Sequence, residues 1–136
     1  MNIVEWTRDL VSGFDSIDEQ HRQFFDLTNA LNNAHEQGDK AAVTQIYADL
    51  QSLAEAHFTD EEALMELAGY HLLARHRQMH QQFLAKIMAQ AKAWQDGEDK
   101  VDDSLLFLQS WAFSHLGHAD KAYVPVVREA MAAMQE

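Results

Sequence analysis

His57 and Glu61 stand four residues apart, as do His76 and His80, and on a helix that spacing puts both members of a pair on one face. Each pair then forms a two-pronged ligand, and two such prongs can grip a pair of metal ions. The chain has no cysteine, so disulfides, iron-sulfur clusters and thiolate zinc sites are excluded and any metal is held through nitrogen and oxygen. Imidazole with carboxylate is a hard-to-borderline donor set that suits iron, with manganese and zinc as the other candidates.

These pairs matter only if helices carry them inward. One proline and five glycines interrupt long stretches with apolar residues at three- and four-residue spacing, an all-α pattern. Ser16-Ile17-Asp18-Glu19 has the S-x-x-E form of a capping box and predicts the start of a first helix that runs to about Gln37. Gly38-Asp39 predicts a turn, with Asp39 capping a second helix that continues to near Gly69. A third helix is expected from about His71 to Asp96, ended by Gly97. A fourth should run from near Ser104, capped by Asp102 or Asp103, to at least His115. Pro125 forces a break or restart, with a short C-terminal helix over Val126 to Met134. Residues 1–15 read as an N-terminal arm that Trp6, Leu10, Val11 and Phe14 lay against the helices. Four helices with short connections pack most simply as an antiparallel up-down-up-down four-helix bundle, and 136 residues suit a single domain, 1–136.

The apolar stripe of each predicted helix is interrupted by polar residues that therefore face the core. The stripes read His21, Phe24, Thr28, Leu31; then Ile46, Leu50, Leu53, His57, Glu61, Leu64; then Leu73, His76, His80, Phe83, Ile87, Trp94; then Leu105, Leu108, Trp111, His115. A lone histidine on such a stripe is ordinarily a hydrogen-bonded core residue, but five on four converging helices, with a carboxylate among them, are too costly to bury without cations. His35, His71 and His118 fall outside the converging set or near helix ends and are expected at the surface.

Composition removes other classes. Ten basic against 22 acidic residues give a formal charge of -12, which repels phosphate backbones and anionic lipid, so no nucleic acid and no membrane partner is expected. No apolar run approaches the ~20 residues of a membrane span, and Met1 to Trp6 lack the pattern of a secretory signal. Cytoplasmic residence is the expectation.

The motifs then fall in a known order. Trp6 with Ile17-Asp18-Glu19-Gln20-His21 comes first, followed by His57-Phe58-x-x-Glu61-Glu62, then Gly69-Tyr70 ahead of His76-x-x-x-His80, and last Trp111-x-x-x-His115-x-x-x-x-Asp120. In this the chain resembles the bacterial hemerythrins over essentially its whole length. The resemblance implies two iron ions (Fe2+/Fe3+) with an oxo or hydroxo bridge. His76, His80 and His115 would bind one iron and His21 and His57 the other, with Glu61 and Asp120 bridging. Dioxygen is then expected at the open position of the two-histidine iron. Trp111, Phe24, Phe25 and Phe58 are the candidates for a dry wall around it. The family usually carries proline after the Gly-Tyr pair, where this chain has His71, so the connection into the third helix is expected to differ, with no loss of metal.

His115 and Asp120 are five apart, about 140° out of phase on a regular helix, so both can face one site only through a π-type turn or a helix break, which Gly117 would ease. No E-x-x-H pair occurs, unlike the carboxylate-rich ferritin-like di-iron oxidases. A nitrogen-rich set favours reversible binding over oxygen activation. The implied function is reversible dioxygen binding for storage, transport or delivery, as a binding protein and not an enzyme, with no recipient protein indicated. An oxygen or redox sensor, a di-iron peroxidase or nitric oxide reductase, and a structural bundle with adventitious zinc are the alternatives.

Overall fold

The computed structural model describes residues 3–7, 10, 13–119 and 122–134, and only the backbone of 116–119 and 134. Among the described residues five α-helices follow one another: α1 (Asp15–Glu36), α2 (Lys40–Leu67), α3 (Leu73–Gln95), α4 (Val101–Trp111) and, after a π-helical segment (Ala112–Ala119), α5 (Val124–Met134). No strand occurs among the described residues. α1 packs on α2 and α4, and α3 packs on the same two neighbours, the side-by-side order of an antiparallel four-helix bundle. Because α1 to α4 alternate in direction, residues near the start of α1 and α3 and near the end of α2 and α4 meet at one end. His21, His76 and His80 belong to the first group, and His57, Glu61 and, in the π-helical segment that continues α4, His115 to the second.

The turns carry much of this geometry. Gly38 takes φ +69°, the left-handed conformation that glycine adopts without strain, and lets Asp39 N–H reach back to the Ala34 carbonyl at 2.9 Å. Asp39 then caps α2 by accepting from the Ala42 amide at 3.1 Å. Two expected caps are corrected. Ser16 and Glu19 lie inside α1, which begins at Asp15 behind an uncapped Phe14; Asp18 instead accepts the Gly13 amide at 3.2 Å. A carboxylate this close to the helix start also suits the dipole there. Likewise α4 starts before Asp102 and Asp103, because Asp99 accepts the Val101 amide at 3.0 Å. The expected start of α3 at His71 moves to Leu73, since Leu73 N–H still closes the turn on Tyr70 at 3.1 Å. Pro125 is the second residue of α5, where its missing N–H removes no helical bond.

Two apolar clusters form the core. The larger includes Phe24, Phe58, Phe83, Leu108 and Trp111; the smaller is Met65, Tyr70, Tyr123, Val124 and Val127, where α5 closes over the end of α2. The arm lies on the larger cluster through Ile3, Val4, Trp6 and Leu10, while Val11 is outside the described residues. Asn29 pins the arm: its Oδ1 accepts from the Ile3 and Val4 amides at 2.7 and 3.1 Å, and its Nδ2 donates to the Val4 carbonyl at 3.0 Å. No described helix is long and apolar enough to cross a membrane.

Candidate metal centre

Between the two apolar clusters lies a layer of polar side chains almost wholly shielded from solvent. His21, His57, Glu61, His76, His80 and His115 are each at most 5% exposed. Their ligand atoms fall into two groups that share Glu61: Glu61 with His76, His80 and His115, and Glu61 with His21 and His57, with all atoms in a group within 4.8 Å of one another. Glu61 is the hub. Its Oε1 stands 3.3 Å from His57 Nε2, 3.7 Å from His76 Nε2 and 3.2 Å from His80 Nε2. His21 Nε2 and His57 Nε2 face each other at 3.0 Å.

Neighbouring side chains fix which ring nitrogen points inward. Glu62 Oε2 accepts from His80 Nδ1–H at 2.9 Å, and Arg77 Nε holds the other Glu62 oxygen at 2.9 Å. Gln20 Oε1 accepts from His57 Nδ1–H at 2.8 Å, and its amide is oriented by donation from Nε2 to Asp60 at 2.8 Å. With Nδ1 carrying the proton, a neutral ring presents the Nε2 lone pair to the centre. In His80 that nitrogen makes no hydrogen bond and confronts a carboxylate oxygen. Lone pairs converging on a buried carboxylate repel one another, and a cation among them turns the repulsion into ligation. The donor set therefore fits a bound metal.

Two rings flank the three-histidine group. Trp111 stacks on His115 at 3.8 Å and 11°, and Phe58 stacks on His80 at 3.8 Å and 7°. On the other side, a cavity of about 10 Å³, close to the space of a single water molecule, lies against His21 and His57, bounded by Phe24, Leu53, Ala54, Phe58, Phe83, Trp111 and Gln20. Of the four expected wall residues, Phe24, Phe58 and Trp111 line it. Phe25 does not: it is buried edge-on against Trp6 at 5.6 Å, because its neighbour Phe24 already takes the inward direction on α1. Leu53, Ala54 and Phe83 were legible only as ordinary stripe residues or not at all.

The segment after Trp111 is a π-helix over Ala112–Ala119, a widening of the kind that the five-residue spacing requires. Asp120 lies outside the described residues, as does the side chain of His118. His71 is exposed, and His35 pairs with Asp99 at 2.7 Å, far from the centre. Sequence reasoning missed Tyr123, whose hydroxyl donates to Glu61 Oε2 at 2.9 Å from a fully buried position. No helical spacing links Tyr123 to Glu61; only the docking of α5 does.

Residues 12–127 match the hemerythrin HHE cation binding domain. The chain is 34% identical to a bacteriohemerythrin of Stenotrophomonas maltophilia over 128 residues, which cover 94% of this chain and 84% of that protein. It is 33% identical to a bacteriohemerythrin of Pseudomonas aeruginosa over 129 residues, 95% of this chain and 84% of that protein. The crystal structure of a wild-type hemerythrin superposes with a TM-score of 0.83 at 25% identity, covering 92% of this chain and 98% of the other. A buried, histidine-rich layer in such a bundle, matched along nearly the whole chain by these relatives, places this protein in the hemerythrin family.

Proposed function

We propose that this chain binds dioxygen reversibly at a di-iron centre and serves as a cytoplasmic store or carrier, not as an enzyme. His76, His80 and His115 would hold one iron, His21 and His57 the other, with Glu61 and Asp120 shared between them and an oxo or hydroxo oxygen as a further bridge. When bound, the two irons supply the open coordination position and the two electrons that reversible dioxygen binding needs. What supports the reading most is the pairing of donor groups around Glu61, one with three imidazoles and the other with two, with a small, mostly apolar cavity against the two imidazoles His21 and His57.

The protein's own residues then have distinct tasks. Gln20 and Glu62 hold His57 and His80 in one tautomer. Phe24, Phe58, Phe83 and Trp111 wall the cavity with apolar surface and exclude water from it. Tyr123 holds the outer oxygen of Glu61 in place. Nitrogen-rich ligation and a closed cavity favour a carrier over the peroxidase and reductase alternatives.

The test is to load the protein anaerobically with ferrous iron, count two irons per chain, admit air and then remove it while recording the visible spectrum. A charge-transfer band that appears and bleaches over repeated cycles is expected. Steady consumption of a reducing substrate with no stable coloured form would reject the carrier.

A further inference from the structure

The cavity beside His21 and His57 shares two of its walls, Gln20 and Leu53, with a broad groove that opens to solvent between α1 and α2. A second groove, between α3 and α4, also borders the cavity, through Phe83 and Trp111. The two barriers differ. Phe83 and Trp111 are 1% and 9% exposed and pack ring on ring at 4.4 Å, so opening there disrupts an aromatic core. Gln20 and Leu53 are only half-buried. Gln20 is tied at both ends of its amide to His57 and Asp60, which leaves Leu53, an aliphatic side chain able to hop between staggered rotamers, as the movable part of a wall one side chain thick.

The rim of the α1–α2 groove carries Glu19, Asp26 and Asp49, and none of the described side chains lining it is basic. A mouth of one sign raises or lowers the local concentration of charged solutes by up to orders of magnitude, in a salt-dependent way. It has no such effect on a neutral diatomic.

We infer that small molecules reach the two-histidine side of the centre through the α1–α2 groove, that Leu53 is the swinging wall of this passage, and that the carboxylates at its mouth select uncharged diatomics over small anions. That the traveller is dioxygen rests on the function proposed above; the passage itself does not.

A barrier on a shared path changes association and release by the same factor. In stopped-flow measurements on the iron-loaded protein, Leu53→Ala is expected to speed both dioxygen rates, and Leu53→Phe to slow both, by about five- to tenfold, with their ratio held. Phe107→Ala, which loosens the opposite groove, should leave both rates as they are. Rates that respond to Phe107→Ala and ignore Leu53, or a Leu53 effect on release alone, would overturn the assignment. A second measurement needs neither iron nor dioxygen binding. In the intact chain substituted with zinc and carrying Trp6→Phe and Trp94→Phe, Trp111 is the remaining tryptophan, excited at the red edge where the tyrosines do not absorb. Leu53→Ala should raise its quenching by dissolved oxygen severalfold, and Asp26→Asn with Asp49→Asn should raise quenching by iodide at low salt and lose that effect at high salt. Quenching indifferent to all three substitutions would sink the passage. Failure of the iron protein to bind dioxygen, with quenching as expected, would sink the proposed function alone.

Discussion

At the scale of the residue, the centre depends on side chains that never touch it. Glu62 stands between Arg77 and His80, taking a hydrogen bond from each at 2.9 Å, so its charge fixes the orientation of the imidazole. Replacing partners of this kind weakens metal binding by about 10- to 100-fold. Glu62→Gln keeps an acceptor but loses the charge, so iron should pass to a competing chelator about tenfold faster than from the wild type; equal transfer rates would show that Glu62 serves only the surface. Trp111 has a different duty. Stacked on His115 and forming part of the cavity wall, it is placed to exclude water, a role beyond filling volume that substitution can test. Trp111→Ala should shorten the lifetime of the oxygenated form severalfold, read as decay of the visible band. A lifetime matching that of the wild type would confine Trp111 to packing.

At the scale of the element, the helices were legible because their signals are local. Four-residue spacing put His57 with Glu61 and His76 with His80 on single faces, and both pairs are buried together. The five-residue step from His115 to Asp120 demanded a wider turn, and the backbone supplies one over Ala112–Ala119. What stayed illegible depends on contacts between elements: Tyr123 reaches Glu61 across 62 residues, and Gln20 reaches His57 across 37. The misread start of α4 has the same origin. Asp99, one residue before the Lys100 cap, accepts the first amide of α4 because the loop there is anchored on α1, where His35 Nε2 donates to Asp99 Oδ2 at 2.7 Å. That hydrogen bond, outweighing the opposing effect of burial and helped by the Val101 amide, holds the Asp99 carboxyl below its ordinary value of 3.8. A carboxyl depressed by folding contributes stability that is complete above its unfolded value and lost as pH falls through the folded one. Asp99→Asn should therefore cost about 0.5 kcal/mol at neutral pH, as suits a largely exposed pair. The difference from wild type in urea unfolding should vanish below the ordinary carboxylate range. A gap that persists in acid would mean the pair is not what stabilises this loop.

At the scale of the whole molecule, the bundle has a polar end that resists burial and an ordinary end that does not. Around the centre, five imidazoles and Glu61 are withdrawn from water. At the far end the polar groups satisfy one another: Tyr47 donates to Ser104 at 2.7 Å, and Ser104 to Gln90 at 2.6 Å. The formal charge of -12 adds self-repulsion that bound cations relieve in part. Metal should therefore stabilise the fold unevenly. A ligand bound only by the native state at a hundredfold its dissociation constant adds about 2.7 kcal/mol, and two ions should add more. Stripping the metal with a chelator should lower the midpoint of thermal unfolding by at least several degrees while the helical circular dichroism survives at low temperature. Hydrogen exchange should quicken first around His21, Glu61 and His80, and remain slow around Leu50 and Leu105, which pack in the larger apolar cluster. An unchanged midpoint would mean that the polar layer is stable without cations, and uniform loss of protection would mean that the two ends do not unfold separately.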